Sequence, residues 1–242
     1  MSMSSTDKGL LTPENCAVIF IDYQPQMLSV LSSQGQQHLL DNLLVLAQAA
    51  HLFGVPVILT AVESKDFSGK LTPQLLDQFP DQTPLKRSSM NAWDDPQFVA
   101  AVRQTGRRNF LIAGLWSEAC LAFPALQMLE EGFGIYVVKD ASGGTSQAAH
   151  DTALRRVEQA GGVSLTALQV MLEFQRDWAK TEHSEEVMAI VKACCRGHSR
   201  DPKRPATMVD NAPVNRKPNA NQRAAKRKAH LCRSQCSPSR TS

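Results

Sequence analysis

A doubly wound α/β fold built on a mainly parallel six-stranded sheet is what this 242-residue sequence predicts, and three observations carry that reading. Short apolar runs of strand length alternate with stretches of helical spacing, the pattern of parallel strands joined by crossover helices. The runs are bounded by turn residues rather than alternating with polar ones, as strands covered on both faces require. Three reactive side chains, Asp22, Lys86 and Cys120, fall at or just after predicted strand ends, the edge where ligands bind in such sheets.

Taken in order, residues 1 to 13 are polar and read as a flexible lead-in. Ala17 to Ile21 (AVIFI) is the first strand and stops at Asp22. A carboxylate there is costly unless it is solvated, hydrogen-bonded or used; the bland alternative is that it caps a turn with Gln24 and Pro25. Leu39, Leu40, Leu43, Leu44, Leu46, Ala47, Ala50 and Leu52 set a helix over His38 to Phe53, ended by Gly54. Val55 to Val62 is the second strand, Pro73 to Phe79 a short helix opened by proline, and Thr83 to Arg87 a brief extended piece carrying Lys86.

Asp94, Asp95 and Pro96 give good helix-start chemistry for Asp94 to Thr105, ended by Gly106. Phe110 to Ala113, bounded by Gly114, is a buried strand. A turn then leads to Cys120 at the start of a helix with apolar Leu121, Ala125, Leu126 and Leu129. Ile135 to Val138 is the fifth strand, Ser146 to Ala160 a helix, Val163 to Ala167 the last strand, and helices follow over Leu168 to Trp178 and Ser184 to Ala193. Right-handed crossovers make the sheet doubly wound.

The position of Cys120 matters because the thiolate is the nucleophile, and a helix N-terminus both stabilises that anion and offers N–H groups to an oxyanion. The alternative is a small buried hydrophobe. His38, His51, His150 and His183 show no paired acid or metal spacing and read as surface or core residues. No Gly-x-Gly-x-x-Gly follows a strand and no phosphate-binding loop is present; Gly143-Gly144 reads as turn geometry.

Composition is that of a soluble globular protein, 43% hydrophobic and 20% charged. The net charge of +3 hides a division, since residues from 196 onward carry 12 Lys+Arg against 2 Asp+Glu and the remainder is acidic. Residues 196 to 242 read as a basic, disordered tail, with nucleic-acid binding weighed and not favoured. The six cysteines (Cys16, Cys120, Cys194, Cys195, Cys232, Cys236) show neither metal-ligand nor disulfide-framework spacing. With no signal-peptide core and no membrane-length apolar run, a cytoplasmic protein with reduced thiols is expected.

Four pieces, FIDYQ (Phe20 to Gln24), LKRSSMNAW (Leu85 to Trp93), AGLWSEACLAFPAL (Ala113 to Leu126) and KDASGGTS (Lys139 to Ser146), resemble the isochorismatase-like cysteine hydrolases, within them the YcaC-type branch. The likeness runs over about residues 14 to 192, inside a domain expected over 14 to 195. It implies a catalytic trio: Asp22 as general base, Lys86 holding acid and thiol in ionised form, and Cys120 as nucleophile. It also implies a cis peptide at Leu115-Trp116, an oxyanion hole of the Trp116 and Cys120 backbone N–H groups, and a homo-oligomer, tetramer or octamer. Gln24, Asn91, Trp93, Leu115 and Phe123 are the candidate pocket residues for a small-molecule substrate.

Nicotinamidases of the superfamily hold a metal with histidines after the second strand, and the segment ESKDFSGKLTPQ has none, so neither metal nor cofactor is expected. Nothing in the pocket residues points to the vinyl ether of isochorismate. The expected activity is hydrolysis of an amide- or imide-type C–N bond through a covalent Cys120 intermediate. The rival expectation is a catalytically idle or redox-sensing relative that interacts through its tail.

Overall fold

The computed structural model describes residues 9–31, 33–65 and 69–198. The six strands are β1 (Cys16–Ile21), β2 (Val57–Val62), β3 (Leu85–Arg87), β4 (Asn109–Gly114), β5 (Gly134–Val138) and β6 (Val163–Leu165). All neighbouring pairs are parallel, in the order β3-β2-β1-β4-β5-β6. The chain therefore winds outward from β1 in one direction and from β4 in the other, and the reversal lies between β1 and β4. The principal helices are α1 (Pro25–Leu28), α2 (Ser33–Leu52), α3 (Pro73–Leu76), α4 (Pro96–Gln104), α5 (Ala122–Glu130), α6 (Gln147–Gln159), α7 (Ala167–Gln175) and α8 (Ser184–His198).

Each face of the sheet has its own core. On one side Val18, Phe20 and Leu59 pack with Leu43 and Leu46 of α2 and Met171 and Phe174 of α7. On the other, Ile19, Ile21 and Ile112 pack with Phe98 of α4, Met128 of α5 and Leu154 of α6, and Cys120 belongs to this second group. Of the central strands β1 is buried along its whole length and β4 from Phe110 to Gly114, as unalternating apolar runs predict.

Boundaries shift where capping chemistry decides them. β6 stops at Leu165 rather than Ala167 because the Thr166 hydroxyl accepts the Gln169 N–H (3.3 Å) and starts α7. α7 ends at Gln175, before Arg176 with φ of 55°. β1 and β4 approach closely at their carboxyl ends, where a Cβ on Gly114 would stand 2.8 Å from Ile21 Cβ and 3.0 Å from Ile21 O. Glycine is what lets these strand ends meet.

No helix among the described residues is long and apolar enough to cross a membrane. The expected tail, with Cys232 and Cys236, lies outside the described residues from position 199 onward, as do residues 1 to 8 of the lead-in.

Candidate active site

The reversal between β1 and β4 gathers the reactive groups. Asp22 follows β1 in the left-handed region (φ 60°), a conformation aspartate tolerates better than most residues. That turn lets its N–H donate to Thr60 O (3.0 Å) while Oδ1 accepts the Val62 N–H (2.8 Å). The carboxylate is thus fixed over the end of β2, with no exposed surface.

Arg87, not Lys86, completes this pair. The register sets Val62 opposite Arg87, and the guanidinium meets Asp22 by a two-pronged contact, Nη1 to Oδ1 at 2.9 Å and Nη2 to Oδ2 at 2.7 Å. Both side chains are buried, at 1% and 0% exposure. Nη2 also reaches Met90 O at 3.5 Å. Lys86 is displaced from the predicted role because neighbouring residues of a strand point to opposite sides. Its ammonium pairs with Glu63 Oε2 at 3.1 Å, with side chains 71% and 47% exposed. It lines a cavity of ≈ 530 Å³ with Leu71, Leu76 and Phe79 whose walls include neither Asp22 nor Cys120.

Cys120 sits in a single π-helical turn, Ser117–Leu121, that runs into α5. The expected position at an α-helix start is corrected accordingly: the wide turn precedes the helix, as π-turns often do at functional sites. The Leu115-Trp116 peptide is cis. The thiol is 4% exposed and is acted on by the Asp22 carboxylate and the Trp116 backbone N–H. Burial first, then the charge and hydrogen bond of Asp22, push it up to about 12; Arg87 and the Trp116 N–H pull the other way without prevailing.

The resting sulfur is therefore a thiol, not the anion the sequence suggested. Cys16, whose Sγ bonds Thr12 O (3.1 Å), is likewise pushed to about 12, mainly by burial. A raised thiol is thus not itself a signature. What sets Cys120 apart is the carboxylate that acts on it and the guanidinium behind that carboxylate.

The remaining predicted residues separate into two groups. Gln24 is 1% exposed and grips the same residue as Asp22, donating from Nε2 to Val62 O (2.8 Å) and to Gly69 O (3.3 Å); its Oε1 is buried with no partner among the described residues. Two carbonyls on Nε2 fix which end of the amide is which. Asn91 and Trp93 have structural partners: the Asn91 carbonyl caps the turn at Trp93 N–H (3.1 Å), its amide reaches Asp94 and Gln127, and the Trp93 indole donates to Glu131 (2.7 Å). Leu115 is fully buried in the first core, Trp116 donates from its indole to Met27 O (3.1 Å), and Phe123 is on the surface.

Two contacts escaped sequence reasoning. One is Arg87, whose signal was adjacency to Lys86 in a strand too short to show a period. The other joins Ser117 Oγ and His150 Nδ1 at 2.7 Å, with no sequence signal, since 33 residues separate the partners. No group of three or more His, Cys, Asp or Glu side chains among the described residues could hold a metal ion.

The family model of the isochorismatase domain matches residues 16–169. The chain belongs to the isochorismatase family. Among its relatives, the Escherichia coli K12 protein named Probable hydrolase YcaC is 39% identical over 169 residues, covering 69% of this chain and 81% of that protein. The structure of Pseudomonas aeruginosa YcaC, which holds hexane-2,5-diol and covalent acrylamide, aligns with a TM-score of 0.68 at 32% identity, over 82% of this chain and all of that one. Escherichia coli YcaC, described as an octameric hydrolase of unknown specificity, aligns with a TM-score of 0.69 at 34% identity, over 78% and 97% of the two chains. At that level the protein is an isochorismatase-family hydrolase of the YcaC type.

Proposed function

We propose that this isochorismatase-family protein is a cysteine hydrolase that cleaves a C–N bond of a small amide- or imide-type substrate through an acyl-enzyme on Cys120. One observation carries the reading: the buried Cys120 thiol stands within the influence of a carboxylate that is itself clamped by a buried guanidinium. A base in contact with a thiol is the arrangement that activates it as a nucleophile.

The proton moves as the bond forms. Asp22 takes the thiol proton while Sγ attacks the substrate carbonyl, and the developing oxyanion is met by the Trp116 backbone N–H and, in this reading, by that of Cys120. Protonated Asp22 then gives its proton to the departing nitrogen, leaving a thioester and a free amine or ammonia. Water attacks the thioester with Asp22 again as base, releasing the acid and restoring the thiol. Arg87 keeps the carboxylate oriented through both steps. The segment after β2 carries no histidine, and no metal is called for by this proton inventory.

The burial of Cys120 weighs against the redox-sensing alternative, because sensor cysteines are exposed and of low pKa. By analogy with the octameric relative, we propose a homo-oligomer, and the free described cysteines suit a reducing, cytoplasmic setting. The working unit is proposed to span residues 14 to 195.

The test is a hydrolysis screen over small primary amides, ureas, imides and carbamates with wild type, Cys120→Ala and Asp22→Asn. A hydrolysed substrate whose turnover vanishes in both variants supports the reading; turnover retained in Cys120→Ala overturns it.

A further inference from the structure

The turn that carries Cys120 is held from outside by the segment after β5. The Ser117 N–H donates to Gly143 O (2.9 Å). Thr145 gives Glu118 Oε1 both its backbone N–H (3.0 Å) and its hydroxyl. The Ser117 hydroxyl lies 2.7 Å from His150 Nδ1 on α6. Ser117 has no exposed surface, and a buried hydroxyl needs an acceptor for its proton. Nδ1 is therefore the acceptor, and the neutral ring carries its hydrogen on Nε2.

We propose that His150 is a positioning residue for the nucleophile: through Nδ1 it holds the Ser117 hydroxyl, and with it the turn that aims Cys120 Sγ between Asp22 and the Trp116 N–H. The proposal rests on Cys120 being the nucleophile. Ser117 is bonded directly to Trp116 and shares the π-turn with Cys120, so a shift of its side chain moves both the oxyanion N–H and the sulfur.

The ring's surroundings keep the contact in its neutral form. Burial lowers the His150 pKa below its ordinary 6.5, while Asp151 on the same helix and Glu118 on the π-turn pull it upward. Protonation would make Nδ1 a donor and leave the Ser117 proton without an acceptor. Cys120 reactivity should then fall in acid, below pH 6.5.

The probe is iodoacetamide, with the rate of Cys120 modification read by peptide mass spectrometry on the full chain across roughly pH 5 to 8. Wild type, His150→Asn and His150→Leu are compared. Asparagine places an acceptor oxygen near the position of Nδ1 and does not titrate, so His150→Asn should retain the neutral-pH rate and lose the His150-dependent part of the acid fall. His150→Leu should be slower by about tenfold at neutral pH, the loss of one hydrogen bond, and the gap to wild type should narrow in acid, where wild type loses the same contact. Identical rates and acid limbs in all three proteins would overturn the role of His150 while leaving Cys120 reactive. If Leu disrupts folding, the acid limb of the Asn variant still decides, and an unchanged limb overturns the proposal. Wild-type Cys120 labelled no faster than buried Cys16 would overturn the nucleophile itself, and the clamp with it.

Discussion

Replacing Arg87 should cost far more than replacing its neighbour Lys86. Arg87→Met removes both prongs from a carboxylate with no exposed surface, leaving Oδ1 with the Val62 N–H and Oδ2 without its guanidinium. Breaking a buried pair on one side costs about 3–5 kcal/mol, because a charge stays buried without its partner. At about 2–4 °C per kcal/mol for a domain of this size, the melting temperature should fall by roughly 6–20 °C. Lys86→Ala removes an exposed pair with Glu63 and should cost about 0–1 kcal/mol. Arg87→Lys should fall between, since an ammonium cannot reproduce the two parallel bonds.

Urea unfolding gives the stabilities, and the double variant Asp22→Leu/Arg87→Met checks the cause. With the orphaned charge gone, the double variant should recover much of what Arg87→Met lost. Equal costs at positions 86 and 87, or a double variant as unstable as the sum of its parts, would refute the reasoning. In activity, Lys86→Ala should stay near wild type, whereas Arg87→Met should lose the Asp22-assisted step.

Three further outcomes are expected. Cys16 and Cys120 are each raised from 9.0 to about 12 in the fold, so the folded state keeps protons that the unfolded chain releases; their contribution is complete below pH 9 and is lost as pH rises toward 12. Urea titrations over that window should show Cys120→Ala with a shallower alkaline loss than wild type by up to about 1.4 kcal/mol per pH unit, and an unchanged slope would count against a buried thiol. Gly114→Ala should destabilise by at least about 1–3 kcal/mol, because its Cβ would meet Ile21 at 2.8 Å, and should slow Cys120 modification by spreading β1 from β4; a neutral result by calorimetry would show that the strand ends can part freely. Removing residues 199 to 242 should leave catalytic turnover unchanged, as measured on whichever substrate the screen finds, and a loss would assign the tail a role in the reaction.

How much of this was legible in the sequence depended on whether a residue's neighbours along the chain report its surroundings. The central strands announce themselves because burial on both faces leaves an uninterrupted apolar run, and Asp22 stands out by ending one. Cys120 was locatable because an apolar strand, a turn and a helix bracket it. Lys86 and Arg87 were not separable, since a three-residue edge strand has no period to read and the deciding fact is a register, Val62 opposite Arg87. The thiolate expectation erred because proximity to a helix start is local, whereas the burial and the Asp22 contact that hold the proton on sulfur are tertiary. Asn91 and Trp93 looked like pocket residues by motif, yet their polar atoms are met by Asp94, Gln127 and Glu131. The contact between Ser117 and His150 joins two helical segments whose patterns say nothing of each other.

The most direct measurement is the mass of the protein quenched in acid during turnover of a substrate found by the screen, followed by peptide mapping. An added acyl group on the peptide containing Cys120, absent in Asp22→Asn and cleared by water over time, is the predicted result. Steady turnover in Cys120→Ala, or an acyl group on any other residue, would contradict it.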